Sequence, residues 1–311
     1  MSNKIFKSLD EQIEILQAKG LVIQDLGKAK DLLFRENYFF ISGYRHMFMR
    51  GNKDKLFIEG TTFEELYATF VFDRKIRNIM FKYILVIENN IKSIISYQMS
   101  KRYGFKEKDY LNPKNFTQDT LKSRQVFDVL NKMKRQIRVN GKQHTATLHY
   151  LSNYGYIPMW ILVKVLSFGI ISELYNILKT EDKVTVAEFY NINPETLGIY
   201  LNLLSSFRNL CAHEDILYDH RTQRSIPNTK YHIQLAIEQD EEKEYKYGKN
   251  DLFALIIIFK QMLRDEEFRE LINELSYEID ILDGKVDTVP LNTILNKIGF
   301  PDNWREIAKI D

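Results

Sequence analysis

Apolar residues recur along this chain at three- and four-residue intervals, which predicts helices rather than strands. The strongest case opens at Asn193-Pro194-Glu195: an amide for the N-cap, a proline at the first helical position and an acid in the first turn. Leu197, Tyr200, Leu201, Leu204, Phe207 and Cys211 follow at helical spacing. Near the start, Ser8-Leu-Asp-Glu11 is a capping box, and the helix it opens should end at Gly20. Asp25 to Phe34 predicts a second helix with Leu26, Ala29, Leu32 and Leu33 inward. The run from Asn37 to Arg45 is too rich in aromatics for a solvent loop and predicts a packed junction.

Glu64 to Arg102 predicts one long helix, or two with a bend, with nearly every position from Ile79 to Ile87 apolar and buried on several sides. Gly104 to Pro113 has loop composition, and Thr117 to Val139 is helical, with Lys132, Lys134, Arg135 and Arg138 on a basic face. Pro158 opens a helix carrying Leu162, Val165, Leu166 and Ile170, interrupted at Ser167-Phe168-Gly169, where the glycine should permit close helix approach. A short helix around Thr185–Tyr190 leads into Asn193, and Asp251–Leu263, Glu266–Leu282 and Pro290–Trp304 complete the helical pattern. Strand patterns are few and scattered. The expected fold is all-α, one domain over 1–311, with N-terminal helices over about 8–60, a long central region over about 62–103 and a late helix over about 194–215.

Composition narrows the function. A net charge of +2 gives no overall basic field, so a nucleic-acid surface must be a local patch. The single cysteine, Cys211, excludes an internal disulfide and a cysteine-based zinc site, and fits a reducing cytoplasm. His144 and His149 lack a further ligand at metal spacing, and there is no Gly-rich phosphate loop, so neither metal nor cofactor is expected. The apolar runs Ile79–Ile87 and Leu252–Phe259 are too short to span a bilayer, and the N-terminus has no signal-peptide core, so a cytoplasmic protein is expected.

Candidate chemistry gathers in Phe207-Arg208-Asn209-Leu-Cys-Ala-His213. Arg208 falls at the edge of the apolar stripe, where a guanidinium needs an anion or several acceptors. Asn209 and His213 are an i, i+4 pair sharing a face roughly 140° from Arg208 on a straight helix. Two copies meeting across a two-fold axis can place all three residue types around one cleft, which predicts a homodimer. Such a cleft supports RNA cleavage: a histidine can take or give a proton, an arginine can hold phosphate, and an asparagine can orient either. Attack by an internal 2′-hydroxyl needs no metal. Upstream, Asp73/Arg77 and Glu88/Lys92 are i, i+4 pairs of a kind that is usually solvated. Glu88, however, interrupts the apolar run and calls for a cation, with Arg77, Arg74 or Arg208 as candidates, so a structural charge network is the first expectation.

Arg208-Asn209 followed by His213, on a late helix of an all-α chain, resembles the R-N-x-x-x-H signature of HEPN ribonucleases. Gln12-Ile13, Leu16, Gly20-Leu21, Asn37-Tyr38 and Ser42-Gly43-Tyr44 resemble the Abi family of phage abortive-infection proteins, the AbiD/AbiF-like group, as do Phe72-Asp73-Arg74, Arg77, Ile87-Glu88, Trp160, Ser167-Phe168-Gly169 and Leu174-Tyr175. The chain departs from that pattern at Phe40, where the family has arginine, and at Tyr218-Asp219, where relatives carry tryptophan and asparagine. The resemblance implies a HEPN-like helical bundle with added terminal helices and a metal-independent endoribonuclease of anti-phage defence. His213 is then the general acid and base, Arg208 the phosphate clamp and Asn209 the orienting group. Arg45, Arg77, His220 and Arg221 are candidate RNA contacts. Toxicity implies restraint, such as a structured RNA held by the protein. Two other readings stay open: a helical module that binds RNA or a partner without cutting, and a structural role in which Arg208 pairs with Glu88 and braces the core.

Overall fold

The computed structural model describes residues 5–51 and 55–310. The fold is all-α: among the described residues no strand forms, and β-type pairing is limited to single bridges such as Val22 with Thr62. The chain opens with α1 (Leu9–Ala18), capped by the Ser8–Glu11 box, then α2 (Leu26–Glu36) and the short α3 (Tyr38–Ser42). A 3₁₀ turn over Gly43–Phe48 follows. Tyr44, Met47 and Phe48 pack inward as the junction reading requires, but Phe39 and Phe40 point out, 71% and 46% exposed. Leu26, expected inside, is 48% exposed, because it occupies the first position of α2, ahead of the turn that docks through Ala29 and Leu33.

The organising element is α4 (Phe63–Tyr103), a single uninterrupted helix of 41 residues, about 60 Å long. It needs no bend because it holds neither proline nor glycine. Its start is fixed by a Thr62–Glu65 capping box. Glu65 also accepts from the backbone N–H groups of Asp287 and Thr288 at 2.9 and 2.7 Å, tying the last third of the chain to the first turn of α4.

After α4 come α5 (Glu107–Tyr110), inside the segment expected to be loop, then α6 (Ser123–Asn140) and α7 (Thr145–Tyr154). The helix expected after Pro158 is two: α8 (Met159–Leu162) stops, and Ser167 caps α9 (Phe168–Ile177) through the Ile170 N–H. A Cβ added at Gly169 would meet Ser205 Oγ at 3.5 Å, an ordinary contact, so the close approach expected there does not depend on a glycine. Next are α10 (Thr180–Glu188) and α11 (Pro194–Ala212), which starts as read: the Asn193 side chain accepts from Glu195 and Thr196, and Pro194 sits at N1. α11 packs against α4, α9 and α13. The last helices are α12 (Lys230–Gln234), α13 (Leu252–Met262), α14 (Asp265–Asp283) and α15 (Leu291–Ile298). α13 is apolar all round and buried on every side from Leu252 to Phe259, as such a helix must be. Among the described residues no helix is long and apolar enough to cross a membrane.

Candidate active site at the end of the late helix

The candidate residues lie on the last two turns of α11 and at its C-cap, His213. Phe207, Leu210 and Cys211 turn inward and fix the helix's rotation. That rotation leaves Asn209 and His213 together on the exposed face, as the i, i+4 spacing requires. Arg208 points elsewhere, toward α4. Its Nε is 3.6 Å from Glu88 Oε2, and its guanidinium carbon stands 5.7 Å from the centre of the Phe81 ring. At 3.6 Å the pair is an ion pair without a hydrogen bond, and neither atom has another hydrogen-bond partner. The Arg208 side chain keeps 32% of its surface in solvent.

Glu88 is held more firmly by Lys92, whose ammonium meets Oε1 at 2.6 Å. The Glu88/Lys92 pair is therefore buried rather than solvated, at 6% and 12% side-chain exposure. Of the partners expected for Glu88, only Arg208 is present; Arg74 instead makes a two-pronged contact with Glu36.

Arg77 goes to the core. It is 3% exposed and pairs with Asp73, which also accepts from Tyr44 Oη at 2.8 Å and the Leu217 N–H at 3.3 Å. Arg77 then donates to the Asp215 carbonyl at 3.1 Å. Tyr218 Oη donates to the Gly43 carbonyl at 3.3 Å and its ring packs 5.3 Å from Tyr44. This node clamps the segment just after His213 and so sets where the imidazole stands. Sequence reasoning took Asp73/Arg77 for a solvated pair; the signal it passed over is that both positions fall on the face shared with Phe70 and Ile76. A guanidinium held this way braces the junction, and it also lines a cavity of about 200 Å³ together with Arg35, Arg74 and Glu214.

The remaining candidates are scattered. Arg45 is half-buried and donates to its own turn at Ser42 O, 3.1 Å away. His220 stands edge-on to Phe207, centroids 5.1 Å apart, and burial with Arg221 beside it holds its pKa below the ordinary value. Arg221 donates to the carbonyls of His220 and Lys297 at 2.9 and 2.8 Å, tying its loop to α15. Burial pushes the Cys211 thiol up to about 12, in keeping with a packing role. Among the described residues no group of three or more His, Cys, Asp or Glu side chains stands ready to hold a metal ion.

Comparison with known proteins adds one finding. No curated protein and no solved structure matches the chain. A family model described as Abi-like protein matches residues 31–219, which takes in α4, α11 and the clamped segment after His213. That match covers more than half of the sequence, and the chain therefore belongs to the Abi-like protein family.

Proposed function

We propose that this protein is a metal-independent endoribonuclease of the abortive-infection response to phage. Membership of the Abi-like family points to defence. The observation that carries the chemistry is the split presentation at the end of α11: Asn209 and His213 open to solvent on one face, Arg208 reaching the surface on another. The imidazole takes the proton from a ribose 2′-hydroxyl as that oxygen attacks phosphorus, and a second imidazole or the same one returns a proton to the leaving 5′-oxygen. Arg208 balances the charge that builds on the phosphoryl oxygens. Products are a 2′,3′-cyclic phosphate and a 5′-hydroxyl. Because Arg208 and His213 diverge within one chain, the complete cleft takes both residue types from two copies.

The test is cleavage of single-stranded RNA by purified protein in excess EDTA. Cutting should persist with EDTA, and His213→Ala should lower it by about 10²-fold or more. Loss of activity on chelation, or an active His213→Ala variant, rejects the mechanism.

The Arg208–Glu88 pair favours a second reading, in which the arginine serves the fold and the exposed face binds RNA or a partner without cutting. Intact RNA that co-purifies and survives prolonged incubation supports that reading over the first.

A further inference from the structure

Away from the motif, the α7–α8 corner presents a run of exposed aromatic rings beside a basic cleft. Trp160 lies 5.9 Å from Phe105, Phe105 5.6 Å from Tyr156, Tyr156 6.3 Å from Tyr154, and Tyr154 5.3 Å from Tyr150. Trp160, Phe105 and Tyr154 are 43%, 39% and 57% exposed, far more than core aromatics leave uncovered. Lys106 sits 5.1 Å over the Tyr156 ring. Glu107, in the same corner, is engaged by the Ile157 N–H, and the Asp109 carboxylate lies against Gly104.

Trp160 also forms one wall of a cleft of about 420 Å³. Lys92, Lys164 and His144 line it, with the amide of Asn89 and the hydroxyls of Ser93 and Ser96, and no carboxylate lines it at all. The volume suits a nucleotide-sized group. Lys92 is the residue whose ammonium holds Glu88, the carboxylate that faces Arg208. The cleft therefore ends one helical turn along α4 from the motif's arginine partner. Phe81, Glu88, Lys92 and Ser96 follow one another at intervals of seven, four and four on a single side of that helix, so the two places share a face.

Exposed rings in series beside a cleft whose solvent-facing cation, Lys164, is exposed are what an unpaired nucleic-acid strand can use. Its bases stack on aromatic faces and its phosphates meet ammonium groups. We propose that the Trp160 cleft and the ring series beside it are a binding track for single-stranded RNA, leading the strand along α4 to Arg208. The site rests on the ribonuclease reading only in taking the strand to be RNA.

The experiment uses the His213→Ala chain, so that bound RNA stays whole. Its two tryptophans report separately, since Trp304 is 1% exposed and Trp160 faces the cleft. Titration with a single strand of about 12 nucleotides should quench Trp160 fluorescence. The same strand in a duplex should quench it weakly, because its bases are already stacked. Lys164→Glu, a surface change that leaves folding intact, should weaken binding about tenfold and flatten its salt dependence. Trp160→Ala, followed by anisotropy of labelled RNA, should weaken it by about tenfold or more.

Absence of quenching, or affinity unchanged in Lys164→Glu, overturns the track. Equal quenching by adenosine 5′-monophosphate overturns it in favour of a free-nucleotide site. A change of oligomeric state in Trp160→Ala with RNA affinity intact overturns it in favour of a protein interface. These outcomes are separate from the cleavage test: strand binding by a chain that never cuts RNA keeps the track and rejects the ribonuclease, and cutting without quenching does the reverse.

Discussion

Two arginines on facing helices illustrate how differently one residue type can be used. Arg77 is sealed in, with Asp73, Tyr44 and the Asp215 carbonyl around it. Arg208 keeps a third of its side chain in water and faces Glu88 without a hydrogen bond. Removing one member of a buried pair strands a charge, so Arg77→Ala should lower unfolding free energy by about 3–5 kcal/mol in urea titration. Arg208→Ala leaves Glu88 with Lys92 and should cost about 1 kcal/mol or less. If the two variants lose equal stability, Arg208 is a brace and its place in catalysis falls. The sequence separates them only in part: Asp73 and Arg77 share the face of Phe70 and Ile76, whereas Arg208 sits at the edge of its stripe. Which edge meets another helix depends on how α4 and α11 cross, and no local pattern encodes that angle.

Where a signal lies within one or two turns, reading the sequence succeeded. The Ser8–Glu11 box and the Asn193-Pro194 start form as expected, because their partners are three residues away or fewer. It failed where burial is set from outside: Phe39 and Phe40 face solvent though their neighbours are buried. One pairing between elements makes a pH prediction. His232 in α12 is fully buried; its Nδ1 accepts from the Thr229 N–H at 3.0 Å and its Nε2 donates to the Gly248 carbonyl at 2.9 Å. That arrangement requires the neutral ring, and burial holds the pKa below its usual 6.5. The unfolded chain takes up a proton near 6.5 and the folded chain only at lower pH, so this contribution is whole at neutral pH and declines as the solution is acidified. Asp251, pushed up to about 6 by burial, acts with the opposite sign, gaining its proton in the folded state first. Melting temperatures of the native chain should therefore fall more steeply below pH 6.5 than those of a His232→Gln variant. Parallel curves contradict the assignment. Nearby, Gly299 has φ +112°, and a Cβ there would stand 2.5 Å from Asp251 Cγ. Gly299→Ala should destabilise by roughly 2–4 kcal/mol, combining backbone strain with overpacking, and a thermal melt shows it directly.

For the whole molecule, the all-α class was legible throughout because helical spacing persists from end to end, while the relation between distant parts was not. The family match supports defence, and on the proposed mechanism the divergent directions of Arg208 and His213 call for a dimer. Light scattering at micromolar concentration should return twice the mass of one chain. Mixing inactive His213→Ala with inactive Arg208→Ala should restore part of the activity, since the mixed pair still brings one His213 and one Arg208 to the shared cleft. A monomer that cuts RNA contradicts this arrangement.

The clamp behind His213 has a further meaning for how such a protein is made. Its anchors, Gly43, Tyr44, Asp73 and Arg77, are translated well over a hundred residues before the segment they grip. A ribosome therefore completes most of the polypeptide before the imidazole has anything to hold it in place. A nascent or prematurely terminated product that stops short of Asp215 lacks the grip altogether, and on the proposed mechanism such unfinished copies cut no RNA.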